Sequence, residues 1–531
     1  MKIFNRPASV LALSMVLAAL LFLARSRADA GALPSAPTIA PITTAPQGSA
    51  VPPVTANPAA SPSVAATAAA RPAVAQKSAP VATSAEGLDW LQLDSEALGY
   101  FRTYLRFDTS NPPGKTAAAI DYLRHILQRE GIPSEVFSSD PAKPNLVARL
   151  PGSSNLKPLL LMSHVDVVPA VASDWSHPPF RADVAHGYVW GRGALDDKSD
   201  GIMALMTLIA LHRRHVPLVR GVEMMVNSDE ESGGDMGAQW MVSTHWEALD
   251  PAFAFNEGGT GTPNWMGASG TIFRIAVAEK RVMWLKLIAH GRAGHGSEPT
   301  DQNPNLILIR ALYRVLAEQP PMRLTRIFRE TAQAMAPRMS DPMSFEFSHL
   351  DYPLMLELAG HGPLSDEAVQ AVLRDTIVPT MLDAGIKVNV IPSIAEATLD
   401  CRLLPGTDPS KFLDHINTLI DDPRVVVEFL QMPDRSRYLS PRRGPAWEAI
   451  KQVVHQDFPD AVAVPALQAS ATDSRFLRDR RVPAYGLIPV VLEGPEESRI
   501  HGVDERISLQ NFFRGLRVTY DLTTRLCARK P

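Results

Sequence analysis

The chain has 531 residues, 45% hydrophobic and 20% charged, which is the composition of a soluble protein long enough for at least two domains. The formal net charge of −4 excludes an overall basic excess, so we expect no nucleic-acid partner, although a local basic patch stays open. The only cysteines, Cys401 and Cys527, cannot build a disulfide framework or a thiolate zinc cage. Any metal must therefore be bound by histidine and carboxylate side chains.

Residues 1–30 have the pattern of an export signal. Two basic residues precede an almost wholly apolar run at 10–23, and a small-x-small cleavage candidate follows. The run is short for a membrane span and typical of a cleaved signal peptide. An uncleaved membrane anchor is the alternative, which Arg25 and Arg27 favour because they lie just before the cleavage candidate. Both interpretations predict an extracytoplasmic protein, either periplasmic, secreted or membrane-tethered on the outside.

Residues 31–86 consist almost entirely of alanine, proline, threonine, valine and serine. Such a segment cannot bury enough apolar surface to offset the entropy lost on ordering, and its prolines favour extended conformations. We therefore predict a disordered, semi-stiff linker, which would become a membrane tether if the anchor is retained.

Residues 87–280 alternate between helical and strand periodicities and are expected to form the first part of a catalytic domain. Helices are predicted at 117–131, 200–215 and 235–246, and strands at 145–150, 159–162, 222–226 and 252–255. This alternation predicts an α/β fold with a mostly parallel sheet covered by helices. Ligands of such sheets bind beyond the carboxyl ends of the strands.

Residues 281–431 have a different pattern. Strands are predicted at 283–289, 386–390, 395–402 and 425–430, and helices at 304–316 and 411–420. The order strand-helix-strand-strand-helix-strand is ferredoxin-like. A polar, methionine-rich insertion at 320–379 has no predicted place in it. Because residues 432–531 return to the first pattern, with helices at 447–458 and 509–526, the second domain is predicted to be inserted into the first.

Five clusters of histidine and acidic residues fall in loops, most of them after predicted strands. They contain His164 with Asp166, Asp196 with Asp197, Glu230 with Glu231, Glu257, and His501. Taken alone, each cluster is better explained as ordinary structure, such as a helix cap or a solvated acidic loop. With one side chain taken from each, the clusters supply two histidines and three carboxylates, which suits two metal ions that share a bridging carboxylate.

The order of these motifs resembles the dinuclear-zinc aminoacylase and glutamate-carboxypeptidase family of metallopeptidases, from about residue 90 to 525. The matching runs are His-Val-Asp-Val-Val-Pro, Gly-Arg-Gly-x-x-Asp-Asp-Lys and Ser-Asp-Glu-Glu, in that order. Segments 256–259, 471–476 and 499–507 resemble the branch of secreted N-acyl-amino-acid hydrolases and carboxypeptidase S. The resemblance implies a zinc-peptidase-like catalytic domain with an inserted ferredoxin-like α+β domain that serves as lid or dimerisation domain.

The resemblance also implies the roles of the metal-site residues. Two Zn²⁺ ions per chain would be held by His164, Asp196, Glu231, Glu257 and His501. By the same comparison, His164 and Glu257 bind one ion, Glu231 and His501 bind the other, and Asp196 bridges them. Asp166 would orient His164, and Glu230 would be the general base.

Further matches lie in and after the inserted domain. The run Gly-Arg-Ala-Gly-His-Gly-Ser places His295 where the family has a lid histidine, often contributed by a partner subunit, that polarises the substrate carbonyl. Asn389 matches a substrate-binding asparagine. Arg402 and Arg475 lie in segments similar to those near the substrate carboxylate, and a structural salt bridge is the alternative for both. A homodimer formed through the lid is a further expectation.

The expected function is hydrolysis of an amide bond beside a free carboxylate. Zinc lowers the pKa of its bound water to about 7, and Glu230 would take the water proton and deliver it to the leaving nitrogen. Dipeptides, peptides with a C-terminal residue to remove, and N-acyl amino acids all remain open as substrates. The alternatives are an exported, non-catalytic binder of peptides or amino acids on the same fold, and a tethered interaction protein whose proline-rich segment is the working part.

Overall fold

The computed structural model describes residues 88–433, 437–493 and 499–529. The signal or anchor predicted at 1–30 and the linker predicted at 31–86 lie outside these ranges. Among the helices that the structure describes, none combines the length and the apolar character needed to cross a membrane.

The first part of the chain builds most of a large sheet and the helices on its two faces. In chain order its helices and strands are α1 (Trp90–Leu105), α2 (Ala117–Arg129), β1 (Ser134–Phe137), β2 (Asn145–Leu150), β3 (Leu159–His164), β4 (Asp183–Ala185), β5 (Tyr188–Trp190), α3 (Lys198–Arg213), β6 (Val222–Asn227), α4 (Ala238–Thr244), β7 (Phe253–Asn256), β8 (Gly261–Pro263) and β9 (Thr271–Glu279).

The middle of the chain contains a smaller sheet and a group of short helices. Its elements are β10 (Arg281–His290), β11 (Gly294–His295), α5 (Pro304–Ala317), α6 (Arg326–Met335), α7 (Met343–Ser348), α8 (Tyr352–His361), α9 (Glu367–Ala371), β12 (Thr376–Ala384), β13 (Val390–Ile391), β14 (Ile394–Leu403), α10 (Pro409–Ile420) and β15 (Val425–Gln431).

The last part returns to the large sheet, with α11 (Pro445–Asp457), β16 (Ala461–Gln468), α12 (Ser474–Asp479), β17 (Ala484–Gly486), β18 (Arg506–Ser508) and α13 (Leu509–Cys527). The order in the large sheet is β1-β2-β6-β3-β7-β17-β9-β16, and β8 pairs with β9. The central strands β6, β3, β7 and β17 run parallel to their neighbours in this group.

Burial explains why the central strands read as continuous apolar runs. Every residue of β3, β6 and β7 is buried, because helices cover both faces of the sheet. Helix α3 is buried along nearly its whole length and packs against β3, α1 and α13. The predicted α/β fold is confirmed, and the carboxyl ends of the parallel strands meet at one edge of the sheet.

The smaller sheet has the order β12-β14-β10-β15, and all of its pairs are antiparallel. Helices α5 and α10 contribute buried residues to the hydrophobic core on one face of this sheet. This arrangement confirms the inserted ferredoxin-like domain. We refer to the small sheet with α5, α10, β11 and β13 as the lid.

The second strand of the lid is not where the sequence predicts it. The strand is Thr376–Ala384, whereas residues 386–389 form a bend followed by a turn. Ile386 and Val388 mimic a strand pattern, yet their side chains are 92% and 103% exposed. The real strand is hard to recognise because it contains Pro379, which is tolerated at a sheet edge and here accompanies a register shift.

The insertion does not belong to the lid. Helices α6 to α9 form their own apolar cluster, which includes Ile272 of β9 and Val464 of β16. Helix α6 packs against β16, the outermost strand of the large sheet. Residues 320–375 therefore add to the catalytic domain at the β16 edge of the large sheet. The chain returns to the lid at β12.

Candidate metal centre and active site

Three strand ends and two loops place the predicted metal ligands together. Strand β3 ends at His164, β7 ends one residue before Glu257, and β6 ends four residues before Glu231. Because β3 is parallel to both β6 and β7, these three ends lie at the same edge of the sheet. Asp196 lies in the turn that leads into α3, and His501 comes from the loop before β18.

The five predicted ligands form two groups that share one residue. The first group is His164, Asp196 and Glu257, and the second is Asp196, Glu231 and His501. Within each group the candidate ligand atoms lie within 4.8 Å of one another. The sequence-predicted ligands are thus brought together in the combination that the family resemblance implies.

The carboxylate of Asp196 faces a different histidine with each oxygen. Its Oδ1 lies 2.8 Å from Nε2 of His164, and its Oδ2 lies 3.2 Å from Nε2 of His501. The second histidine is also 3.2 Å from Oε2 of Glu231. A carboxylate that points one oxygen into each of two ligand groups is suited to bridge two metal ions.

The ring of His164 is oriented by the main chain of Asp166. Its Nδ1 lies 2.9 Å from the carbonyl oxygen of Asp166 and 3.9 Å from the nearer carboxylate oxygen. A carbonyl can only accept a hydrogen bond, so Nδ1 carries the proton and Nε2 is left with its lone pair for a metal. The sequence instead predicts that the side chain of Asp166 orients the ring, whereas the nearer partner in the structure is its main-chain carbonyl.

The carboxylate of Asp166 holds the turn that carries Glu230 and Glu231. It accepts hydrogen bonds from their main-chain N–H groups at 3.2 and 3.1 Å. It also accepts one at 2.8 Å from the amide of Asn111. Asp166 therefore links His164 to the turn that contains Glu230 and Glu231.

A layer of polar residues, which the sequence does not predict, lies behind the turn that contains Glu230 and Glu231. Asp229, with a φ of 73°, accepts hydrogen bonds from Lys143 at 2.5 Å and from Asn111 at 3.1 Å. The same carboxylate accepts the N–H of Met236. Asp229 lies in the predicted Asp-Glu-Glu motif, which is a signal for it, whereas nothing in the local sequence marks Asn111 or Lys143.

The electrostatics of the site follow from burial and from the close histidine–carboxylate contacts. Burial raises the pKa of Glu230 well above its usual value, and the neighbouring carboxylates of Asp473 and Glu231 add to this effect. Burial likewise raises the pKa of Glu257. Hydrogen bonds to Asp196 and Glu231 raise the pKa of His501 to about 10. Concentrated acidic groups with raised pKa values are typical of a site that binds cations or handles protons.

The two predicted lid residues lie side by side, on the lid. His295 of β11 pairs with Val390 of β13, and the carbonyl of Asn389 accepts the N–H of Gly296 at 2.8 Å. Both side chains are exposed. In the described part of the chain, neither residue belongs to the two metal-ligand groups.

The two predicted arginines have different surroundings. Arg475 is 7% exposed, donates to the carbonyl of Gly233 at 2.7 Å, and stacks on the ring of Phe476. It therefore borders the turn with Glu231. Arg402 forms a bidentate ion pair with Asp400, at 2.7 and 3.0 Å. Arg402 lies near one end of β14 and Ile394 lies at the other, about 27 Å away along the strand. The salt bridge to Asp400, the alternative to a substrate-binding role, accounts for the contacts of Arg402.

Comparison with known proteins agrees with this geometry. A sequence model described as peptidase family M20/M25/M40 matches residues 160–525. The probable carboxypeptidase S-like 2 of Dictyostelium discoideum is 30% identical over 366 residues, covering 67% of this chain and 69% of that protein. The human N-fatty-acyl-amino acid synthase/hydrolase PM20D1 is 31% identical over 380 residues, covering 69% of this chain and 74% of that protein.

Solved structures show the same fold. The M20 family metallo-carboxypeptidase Sso-CP2 from Sulfolobus solfataricus superposes with a TM-score of 0.61 at 17% identity, covering 81% of this chain and 99% of that one. All five predicted ligands are present and grouped, which argues against a non-catalytic binder. The chain belongs to peptidase family M20/M25/M40, and it is a metal-dependent enzyme that hydrolyses amide bonds.

Proposed function

We propose that this protein is a two-zinc hydrolase that cleaves an amide bond next to a free carboxylate, with Glu230 as its general base. The observation that supports this most strongly is the placement of Asp196 between His164 and His501. Each histidine has a further carboxylate of its own, from Glu257 in the first group and Glu231 in the second.

The donor set fits zinc. It contains only imidazole nitrogens and carboxylate oxygens, which are common ligands of catalytic zinc. In the described residues, Oε1 of Glu231 is buried without a hydrogen-bond partner, as expected for an oxygen whose natural partner is a cation. When bound, zinc supplies Lewis acidity and lowers the pKa of water in its coordination shell.

Glu230 is suited to move a proton. Its main-chain N–H is fixed by Asp166, and its burial favours the protonated carboxyl, so it can both accept a proton from water and return it to the leaving nitrogen. Glu231, the next residue, contacts His501 instead. The two adjacent glutamates therefore have separate roles, one as base and one as ligand.

For the substrate, we propose small peptides and N-acyl amino acids. Both present an amide close to a carboxylate, and the names of the two relatives, a carboxypeptidase and an N-fatty-acyl-amino acid hydrolase, cover both groups. Arg475 is the candidate for the carboxylate because its guanidinium lies beside the Glu231 turn. His295 and Asn389 would contact the carbonyl and the rest of the substrate from a lid.

We propose that the enzyme is a homodimer that associates through the lid. Most residues of β12 are exposed on both faces of the strand, including Met381 at 67% and Leu382 at 69%. Helix α5 adds exposed Ile309 and Tyr313. An apolar surface that includes a free strand edge is typical of a protein-protein interface.

We also propose that the protein acts outside the cytoplasm. The proposal rests on the basic and apolar pattern of residues 1–30 and on the linker composition of residues 31–86. Cleavage of the signal would release the enzyme, whereas a retained anchor would tether it to the membrane.

The substitution Glu230→Gln tests the function directly. We expect the variant to bind both zinc ions and to lose activity about 100- to 10,000-fold, because the amide cannot accept the proton from water. Metal content is measured by elemental analysis and turnover on a panel of dipeptides and N-acyl amino acids. The exposed Glu247→Gln serves as the control. Near wild-type turnover in Glu230→Gln, or fewer than two metals in the wild-type enzyme, would overturn the proposal.

A further inference from the structure

A buried ion pair lies behind the metal centre, between residues far apart in the sequence. Arg192 and Glu505 are 3% and 0% exposed, and Nη1 of the arginine lies 2.6 Å from Oε2 of the glutamate. Among the described residues, neither Arg192 nor Glu505 belongs to the two ligand groups. Two buried charges require a structural reason, because removing them from water is costly.

The carboxylate of Glu505 organises the turn that contains Asp196. Its Oε2 accepts the N–H of Gly193 at 3.0 Å, and its Oε1 accepts those of Leu195 and Asp196 at 2.8 and 3.1 Å. With the bond from Arg192, both oxygens accept two hydrogen bonds each. The carboxylate therefore accepts main-chain N–H groups of the turn that a helix or a sheet would otherwise satisfy.

The guanidinium of Arg192 supports the loop that contains His501. Its Nη2 donates to the carbonyl oxygens of His501 and Gly502, at 3.2 and 3.0 Å. The main chain adds a further link, from the N–H of Gly191 to the carbonyl of Glu505 at 3.0 Å. One ion pair thus connects the turn of the bridging carboxylate with the loop of the second histidine.

His501 needs such support more than the other ligands do. Its side chain is 52% exposed, whereas those of His164 and Glu231 are 1% and 5% exposed. Its backbone has a φ of 61°, in the left-handed region that residues other than glycine rarely adopt. Packing around the side chain therefore does not hold this histidine in place. The hydrogen bond from Arg192 to its carbonyl supports its main chain instead.

We propose that Arg192 and Glu505 are positioning residues that set the distance between Asp196 and His501 and thereby the metal affinity of the Asp196, Glu231 and His501 group. The inference rests on the proposed two-metal function and adds the residues that hold the second site in shape. Residues that orient metal ligands typically change metal affinity when they are replaced.

The test is a zinc titration of the metal-free protein against a competing chelator, which gives the two dissociation constants without any activity assay. The variants are Glu505→Gln and Arg192→Lys. Glutamine has nearly the shape of Glu505, but its NH₂ group cannot accept the N–H groups of the Asp196 turn. Lysine keeps the positive charge of Arg192 but cannot reach the carbonyls of both His501 and Gly502. We expect at least one dissociation constant to rise about 10- to 100-fold in each variant.

A matched control is another buried arginine–glutamate pair, Arg478 with Glu279, at 2.6 Å and 4% and 5% exposed. Glu279→Gln should lower the melting temperature while both dissociation constants stay at the wild-type values. If Glu505→Gln fails to fold, Arg192→Lys decides the question. If the wild type binds two zinc ions and the folded variants have unchanged dissociation constants, this inference is overturned and the proposed function is not. Fewer than two on the wild type would overturn the proposed function and this inference with it.

Discussion

Asp166 contacts both groups of metal ligands, each through a different part of the residue. Its carbonyl fixes the ring of His164, and its carboxylate accepts the N–H groups of Glu230 and Glu231. Since the first contact uses the main chain, it survives a change of side chain. The two contacts can therefore be separated by substitution.

We predict that Asp166→Asn lowers kcat about 10- to 100-fold, since the asparagine NH₂ cannot accept the N–H bonds that hold the Glu230 turn. The His164 contact should persist, because it uses a carbonyl that the variant retains. Steady-state kinetics and zinc content check the prediction, with the exposed Asp174→Asn as the control. Unchanged kcat in Asp166→Asn would show that the turn does not depend on this carboxylate.

At this scale, residue type and motif order predict which side chains come together. The five ligands are grouped as expected because each follows a strand or a turn at one edge of the sheet. The supporting contacts could not be predicted in the same way. Those of Asp166 and Glu505 are made to main-chain N–H groups, whose directions depend on irregular turns rather than on periodicity.

Among the structural elements, helix α5 is apolar on two sides. One side, which includes Ile307 and Ala311, packs into the core of the lid. The other side exposes Ile309 and Tyr313, at 60% and 74%. Asn305, at the start of the helix, lies near Gly385, the residue that follows β12.

We predict that the wild-type enzyme is a dimer and that Tyr313→Arg combined with Leu382→Arg makes it a monomer. Charges buried in an apolar interface without a partner disfavour association. Sedimentation velocity at several concentrations measures the change, and activity should fall with the dimer if the partner subunit supplies His295. Phe345→Arg, at an apolar residue that is 64% exposed outside the lid, is the control. A wild-type monomer throughout the concentration range would contradict the prediction.

The secondary structure was most predictable where periodicity is strong. Strands β3 and β6 and helices α3 and α13 lie where the apolar pattern indicates them. Prediction was wrong for the second lid strand because β12 faces solvent along most of its length, so it has no apolar alternation to detect. The place of the insertion could not be predicted, since nothing in its sequence identifies β16 as the surface against which it packs.

For the whole molecule, every residue assigned to the proposed site lies between Asn111 and Glu505, inside the described part of the chain. The N-terminal segment supplies none of them. The enzyme and its proposed export or tethering segment are therefore separable in the sequence.

We predict that a variant lacking residues 1–85 is soluble and retains the activity of the full chain. The reason is that the described part of the chain, from α1 onward, contains all the predicted ligands and the base. Turnover of both forms is compared, and mass spectrometry of the exported full-length protein determines whether residues 1–30 are removed. Loss of activity with retained zinc and folding would instead favour a function that needs the N-terminal segment.

The insertion also determines how the large sheet meets other molecules. Strand β16 lies at the end of that sheet, where Pro465 has no N–H to offer and its carbonyl accepts the hydroxyl of Thr331 from α6 at 2.5 Å. A foreign strand therefore cannot continue the ladder there, which guards the large sheet against aggregation by strand addition. Among the described residues, β12 lies at the edge of the lid sheet and no helix packs against it as α6 packs against β16, so the proposed association through β-strands would occur at the lid and not at the large sheet.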